Sequence, residues 1–576
     1  MLEVQIKING IPVIVPEGTS ILKVARMANI KIPTLCWLKE INEIASCRMC
    51  VVEVKGEEEL VTSCVTEVRE GMEILTHSSQ VVESRKSTLR LIMANHEQKC
   101  LTCVRNNSCE LQKLCHEHGI DDASGCQGRE KRYEVDDSAV HMVRDNNKCI
   151  MCRRCVAVCR EVEGVGVIGV HGKGNDSYIG SPFDMGLGET TCVSCGQCIN
   201  VCPTGALYEK QEYNAVFSYI SDPSKYVVVQ TAPAVRAGLG EYFGLPVGTG
   251  VEGKMVTALK MLGFDKIFDT NTGADFTIVE EAKELVKRLE EGEKLPLFTS
   301  CCPAWIKYCE HYNPEIIDHL STCKSPHEML GALIKTYYAE NIGIPAKDIV
   351  VVSVMPCTAK KFEIKREDEN AAGFPDVDIV ITTRELGRMI GSAGICFGDL
   401  PEGEFDTLFN KSSGAGKIFG ASGGVMEAAL RTAYEMITQK EAPSLEFQEI
   451  RGTKGIKTAE YRVGDQQLKV AVVSGLKNAA NILESIKNRE AEYHFVEIMA
   501  CPGGCVNGGG QTRQASDMIN FGQIAERRAK ILYDMDSKDT LRKSHENPVV
   551  TKLYEEFLDE QKAHEYLHTS YVSRGL

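Results

Sequence analysis

The segment IVVVSVMPCTAKKFE, residues 349–363, runs from a stretch that is β-branched except at Ser353, through Met355 and Pro356, to a cysteine with two lysines close behind it. An apolar run without polar alternation reads as a strand buried on both faces, the pattern of a parallel sheet. PLFTSCCPAW from residue 296 and FVEIMACPGGCVNGGGQ from residue 495 repeat the arrangement. YVVVQTAP at 226, DIVITT at 378 and KVAVVSGL at 469 add further buried strands between amphipathic helices. The region beyond residue 210 therefore reads as an α/β domain. In open α/β sheets, residues at the carboxyl ends of strands converge on one crevice. Cys302, Cys357, Cys501 and Cys505 could there surround a single iron–sulfur cubane, with Gly503, Gly504 and Gly508 to Gly510 letting the backbone approach inorganic sulfur. Each cysteine alone could be a buried structural thiol, but coincidence at three strand ends makes that reading remote.

Upstream, Cys149, Cys152, Cys155 and Cys159 are followed by Cys192, Cys195, Cys198 and Cys202, with Pro203 after the last. Both groups have the C-x2-C-x2-C-x3-C spacing of ferredoxins, in which the fourth cysteine ligates the neighbouring cluster. Cys149, Cys152, Cys155 and Cys202 are thus assigned to one 4Fe-4S cluster, and Cys192, Cys195, Cys198 and Cys159 to a second. Paired zinc sites explain neither the exchange nor the Cys-Pro ending. Before them, His96, Cys100, Cys103 and Cys109 fit either a zinc knuckle or a 4Fe-4S site by spacing alone, and their place in a chain of clusters favours the latter.

At the N-terminus, VQIKINGIPVIV (4–15) alternates around Asn9-Gly10, a two-residue hairpin turn, and Ser20 is placed to cap a helix over 20–30. This is the start of a small α+β ferredoxin domain. Cys36, Cys47, Cys50 and Cys64 fit a 2Fe-2S site within it, although the first gap exceeds the plant-type spacing. The expected divisions are 1–79 (2Fe-2S, β-grasp), 80–120 (His/Cys-ligated 4Fe-4S), 137–209 (double 4Fe-4S ferredoxin), 210–540 (catalytic) and 541–576 (helical tail).

Composition sets outer bounds. With 65 Lys+Arg against 80 Asp+Glu the formal charge is -15, and without a basic block nucleic acid lacks its electrostatic attraction. No stretch reaches the roughly 18 apolar residues of a membrane span, and Met-Leu-Glu-Val does not begin a secretory signal. A cytoplasmic location is expected, where the 25 cysteines serve metals rather than disulfides.

Together these motifs closely resemble the large clostridial-type iron-only ([FeFe]) hydrogenases across essentially the whole chain. The resemblance implies α+β ferredoxin-like N-terminal domains followed by a two-lobed α/β catalytic domain. It further implies reversible H2 chemistry at a cubane joined through one thiolate, Cys505, to a diiron unit carrying CO, cyanide and a bridging dithiolate amine. Lys360 resembles the residue that hydrogen-bonds a cyanide, and Met355, Phe419 and Met499 resemble pocket-wall residues. Pro233 and Ala234 occupy the place of contacts to the other cyanide, where many members carry Ser rather than Ala.

Splitting H2 at a metal needs a base beside it. In the family this is the bridging amine, and Cys301 resembles the thiol that passes protons onward, through Glu281, Ser321 and Glu284 to Arg288. The helix FTIVEEAKELVKRLEE (276–291) gives an independent reason to single out Glu281. It lies about 40° from Leu285, at the edge of the apolar face, with Glu284 and Arg288 stepping outward toward solvent. A Glu284–Arg288 surface pair would by itself account for those two residues.

Ferredoxin, or NAD(P)-linked flavin and iron–sulfur subunits of an electron-bifurcating complex, are the partners the resemblance implies, together with hydrogenase maturation proteins. An electron-transfer protein without catalysis leaves residues 299–511 unexplained. A sensory hydrogenase is disfavoured by intact Cys301, and an assembly factor by Met355, Lys360 and Phe419. Gly164-x-Gly166-x-x-Gly169 lacks the strand–turn–helix setting of a dinucleotide site, and His564-Glu565-Tyr566-Leu567-His568 is expected to pack rather than bind zinc. Cys115, Cys126, Cys309, Cys323 and Cys396 have no assigned partner.

These ligand groups predict one 2Fe-2S cluster, three accessory 4Fe-4S clusters and a catalytic cubane with its diiron unit, about 20 iron atoms in the matured chain. Metal analysis checks this, and a fully active preparation containing zinc and clearly less iron would overturn the His96 assignment.

Overall fold

The computed structural model describes residues 2–121, 125, 126, 128, 132–514 and 521–575. Its first strand, Glu3–Ile8, alternates exposed and buried positions and pairs antiparallel with Ile11–Pro16. Asn9 (φ 50°) and Gly10 (φ 84°) supply the two positive φ angles the connecting turn requires. Ser20 caps helix Ile21–Met27, its hydroxyl accepting from the Lys23 N–H at 3.4 Å. Strand Glu73–Leu75 returns parallel to the first strand, and the five-stranded sheet packs its buried face on that helix around Ile6, Ile8, Leu22 and Val52.

Helices Ser79–Asn95 and Glu110–His118 follow. Between residues 142 and 209 regular structure is sparse. Strand Met142–Arg144 pairs with Leu207–Glu209, closing the cysteine-rich segment on itself.

Among the described residues the remainder holds two four-stranded sheets. One is wholly parallel, in the order Lys266–Asp269, Tyr226–Thr231, Ile349–Met355, Ile379–Thr382. The other runs Leu297–Phe298, Phe495–Met499, Gln466–Ser474, Ile456–Val463, with the last strand antiparallel. Lys266–Asp269 and Ile456–Val463 are absent from the strands expected from sequence: the first is short and begins and ends on charge, and the second is an edge strand with many exposed positions. Helix Thr270–Glu291 packs against both helix Pro326–Leu333 and helix Gly424–Thr438, and so joins the two halves. No described helix is long and apolar enough to cross a membrane.

The cysteine-rich segment is clamped to the sheets by charge. Glu209, fully buried at the end of its strand, faces Arg384 at 3.0 Å, Arg388 at 3.4 Å and Arg513 at 3.4 Å. Burial opposes ionisation, but the arginines outweigh it and hold the carboxyl well below its usual range. Arg384 also donates to the Gly509 carbonyl (2.6 Å) and to Asn200 (3.0 Å), tying the catalytic glycine loop to the cluster segment. Glu209→Ala, which strands buried cations, is expected to destabilise the junction by about 3–5 kcal/mol. A lowered first unfolding transition and faster proteolysis at the junction check this, with Glu209→Gln less severe.

Candidate active site

Each strand end delivers its cysteine by a different local device. After Leu297–Phe298 the chain extends through Cys301 to Cys302, which precedes Pro303 at the start of helix Pro303–Tyr312. At that helix start, backbone N–H groups of Ala304 and Trp305, with that of Ala500 at 3.4 Å, favour the Cys302 thiolate against burial. Met355 ends the central strand, and Pro356 turns the chain so that Cys357 enters the same space. After Met499, Cys501 and Cys505 flank Gly503 (φ 79°) and Gly504 (φ 99°). A Cβ on Gly504 would lie 2.6 Å from the Ser422 nitrogen, and one on Gly508 would lie 2.0 Å from the Pro356 carbonyl oxygen. Only glycine allows this approach.

The four cysteines line one internal cavity with Cys301, Lys360, Pro233, Ala234, Met355, Phe419 and Met499. Every residue expected in the pocket wall is therefore brought together there. Burial pushes all four thiols up, Cys357 to about 12. Thiols so placed ionise only against strong positive charge, which an iron cluster provides.

Spacing separates a cluster from a single ion. A tetrahedral zinc, with thiolates at about 2.3 Å, gathers its ligand atoms to within about 4 Å of one another. Among the described residues, the groups of three or more ligand atoms lying within 4.8 Å of one another contain histidine and carboxylates but no cysteine. The cysteine sets thus surround something larger than one ion, and the chemistry and spacing of their donors fit iron–sulfur clusters. In the first domain they form two close pairs: Cys50 and Cys64, with sulfurs 3.4 Å apart, and Cys36 hydrogen-bonded to Cys47. Two thiols per iron is the 2Fe-2S arrangement. Cys202 lies near enough to Cys152 and Cys155 for its charge to raise both thiols; Cys159 likewise raises Cys198 and is itself raised by the charge of Cys192.

The groups are contiguous. Asn42 donates to the carbonyls of both Cys36 (2.7 Å) and Cys152 (3.0 Å). Cys109 contacts the Pro203 carbonyl at 3.7 Å, and a Cβ on Gly205 would lie 2.5 Å from the Cys103 sulfur. His96 has a buried ring nitrogen, Nδ1, without a hydrogen-bond partner, an available metal donor beside Cys100, Cys103 and Cys109 in sequence. At the inner end, Cys195 itself lines the catalytic cavity, and a Cβ on Gly509 would lie 2.1 Å from its carbonyl oxygen.

Lys360 is held by Glu363 (2.6 Å), Ser325 (2.6 Å) and the Cys301 carbonyl (3.3 Å). Despite its burial, Glu363 keeps this ammonium charged, and His327 bonds Glu363 from behind at 2.6 Å. Sequence reasoning misses Ser325, His327 and Glu363. Only Glu363, one helical turn beyond Lys360, carries a local signal.

Glu281 is fully buried, and the Ser321 hydroxyl is the hydrogen-bonding side chain beside its carboxylate. Burial, reinforced by the charge of Glu284, raises it to about 8, with Ser321 pulling the other way. Its charge in turn acts on the Cys301 thiol. Ser321 donates to Glu284 at 3.2 Å, and Arg288 to Glu284 at 2.6 Å. Arg288 does not step out into solvent as the helical wheel suggests. It is buried and directs further N–H groups to the carbonyls of Lys294, His319 and Leu320, because the 314–324 segment folds over it. The Glu284–Arg288 pair is correspondingly shielded rather than a free surface pair. His568 does more than pack: its ring bonds Thr322 and Glu280. Gly164 and Gly166 lie in an irregular loop that leads to a short antiparallel strand at Gly169, not to the helix of a nucleotide site.

Comparisons with known proteins agree with this geometry. Residues 225–509 match the C-terminal domain of the iron only hydrogenase large subunit, residues 2–79 a 2Fe-2S iron-sulfur cluster binding domain, and residues 522–574 the iron hydrogenase small subunit. Residues 85–124 match the NADH-ubiquinone oxidoreductase-G iron-sulfur binding region, and 139–208 the ferredoxin-like domain of NADH-quinone oxidoreductase subunit 3. The chain is 45% identical to the NADP-reducing hydrogenase subunit HndD of Solidesulfovibrio fructosivorans, covering 99% of each. It is 42% identical to iron hydrogenase 1 of Clostridium pasteurianum, covering 98% of this chain and 99% of that one. A solved structure of the [FeFe]-hydrogenase HydA1 from Chlamydomonas reinhardtii superposes with a TM-score of 0.57 at 42% identity, over 64% of this chain and all of that one. With ferredoxin-like 2Fe-2S and 4Fe-4S domains leading into this cavity, the chain belongs to the iron-only hydrogenases.

Proposed function

We propose that this hydrogenase interconverts H2 with two protons and two electrons in the cavity bounded by Cys302, Cys357, Cys501, Cys505, Cys301 and Lys360. The observation that carries the reading is convergence. The same small space meets a cluster-bearing loop at Cys195 and a buried titratable carboxylate line that begins behind Cys301.

In this reading Cys302, Cys357, Cys501 and Cys505 hold the cubane, and Cys505 shares its thiolate with the diiron unit. When bound, that unit supplies an open iron for H2 and an amine as first base. The chain's residues do the rest. Lys360, kept cationic by Glu363, would offer its ammonium to one cyanide, and Pro233 and Ala234, which line the same cavity, would lie beside the other. Met355, Phe419 and Met499 exclude water. Cys301 passes protons to Glu281, which near pH 8 can accept and release them at little cost, whereas an ordinary carboxylic acid would hold them too weakly. Ser321 and Glu284 carry them on, and Arg288 fixes Glu284 in place.

Electrons move along Cys192, Cys195, Cys198 and Cys159, then Cys149, Cys152, Cys155 and Cys202. Beyond these, the Cys36–Cys64 and His96–Cys109 groups offer two ends at which a partner can exchange them. Likeness over the full length to an NADP-reducing hydrogenase subunit, and to NADH-oxidoreductase domains, favours an NAD(P)-linked protein as that partner over ferredoxin alone. Purification of the native protein, with subunit, flavin and NAD(P) reduction analysis, decides between them.

Cys301→Ala is expected to keep the infrared CO and cyanide bands while H2 uptake and evolution fall roughly 10²- to 10⁴-fold. Cys301→Asp should recover part of the rate with a shifted pH profile. Glu281→Gln, with its shape kept and its titration lost, should fall comparably. Near-parent rates with artificial carriers in Cys301→Ala would mean that the proton line starts elsewhere. Cys505→Ala should lose the CO and cyanide bands and retain the N-terminal cluster signals; intact bands would refute its bridging role.

A further inference from the structure

The two carboxylate oxygens of Glu284 face different surroundings. Oε1 takes the Arg288 guanidinium at 2.6 Å. Oε2 accepts from the Ser321 hydroxyl (3.2 Å), the Thr322 N–H (3.1 Å) and the Thr322 hydroxyl (3.3 Å). The Arg288 branch is a poor exit for a proton. A guanidinium does not deprotonate in proteins, and three backbone carbonyls occupy three of its other four N–H donors.

The Thr322 branch leads further. Its hydroxyl lies 2.8 Å from Nδ1 of His568, and Nε2 of the same ring lies 3.1 Å from Glu280. His568 follows helix Glu560–Leu567 and lines a surface groove with Glu280, Lys283, Glu284, Arg288 and His564. Imidazole is the side chain whose charge changes nearest neutral pH.

We propose that His568 is the proton-exchanging terminus of the relay, passing protons between Glu284 and bulk solvent through the Thr322 hydroxyl. The proposal rests on the Cys301–Glu281–Glu284 relay described above. In the outward direction, protonated Glu284 gives its proton to the Thr322 oxygen as that hydroxyl gives its own to Nδ1. The resulting imidazolium releases the Nε2 proton toward Glu280 and the groove. One proton crosses, no electron moves, and the inward direction reverses each transfer.

The groups around the ring suit this task. Glu280, on helix Thr270–Glu291, is held down to about 2: burial opposes its ionisation, but bonds from His568, Lys283 and Tyr554 outweigh that. It is therefore an anion, held 3.1 Å from Nε2 of the ring. Tyr554 donates its hydroxyl to Glu280, and Lys283 donates at 2.8 Å. His564 stacks on His568 with centroids 5.4 Å apart, and the backbone at Cys323 bridges to that of His568. Glu284 completes the titratable neighbours from the other side.

The test uses matured, full-length enzyme whose CO and cyanide bands match the parent. In dilute buffer, His568→Gln is expected to lose roughly tenfold in H2 evolution and uptake, less than the 10²- to 10⁴-fold of a group acting on reacting atoms, because groove water substitutes in part. Added imidazole should restore the rate, whereas pyrazole, which does not titrate near neutrality, should not. Thr322→Val, which keeps the histidine and cuts its link, should show a similar loss and a displaced pH profile. Parent-like rates and pH profiles in both variants, with Glu281→Gln inactive, would overturn the proposal. So would a loss in His568→Gln that imidazole leaves unrelieved. Full activity of Glu281→Gln would instead remove the relay itself, and this terminus with it.

Discussion

A thiol must lose its proton to hold iron, and burial is what most opposes that loss. This opposition governs the molecule. The cavity thiols, and those of Cys152, Cys155, Cys159, Cys192, Cys195 and Cys198, sit where burial disfavours ionisation, so the sites are stable only when several thiolates share positively charged iron. The surrounding backbone is arranged to the same end. Strand ends and a helix start aim N–H groups at Cys302, and glycines bring peptide groups closer than any side chain would permit.

The proposed proton line would draw on the same dryness. In water Glu281 would be an ordinary acid. Buried beside Glu284, it is raised to about 8 and becomes a group that can both take and give a proton near neutrality. Lys360 shows the opposite solution, in which a neighbouring carboxylate keeps the charge in place. Two buried ionisable groups a short way apart are thus set to different tasks, one to titrate and one to stay charged, by whether a partner of opposite sign was supplied.

Much of this is legible in sequence where chemistry and local geometry coincide. Asn9-Gly10, Ser20 and the strand runs at 226, 349 and 495 each dictate local structure through backbone preference or burial. The convergence of the strand-end cysteines follows from how strands end in α/β sheets. What escapes depends on chain packed from far away. A helical wheel places Arg288 at an angle but cannot show the 314–324 segment lying over it. Nothing near His327 in sequence announces Glu363 as its partner. In sequence His568 reads only as one end of a zinc-like motif, although its partners come from helix Thr270–Glu291 and the loop at Thr322. Edge strand Ile456–Val463 is largely exposed, so its composition gives little strand signal.

The clamp of Glu209 by Arg384, Arg388 and Arg513, and the seating of Gly509 on Cys195, also decide what kind of conductor this is. Among the described residues, these contacts span the final gap before the cavity, so the proposed electron path crosses it without a domain that must swing. Transfer over that gap is therefore indifferent to solvent viscosity. Diffusion enters only at the far ends of the wire, where a partner must arrive, and crowding or ionic strength can throttle the enzyme there without touching its interior.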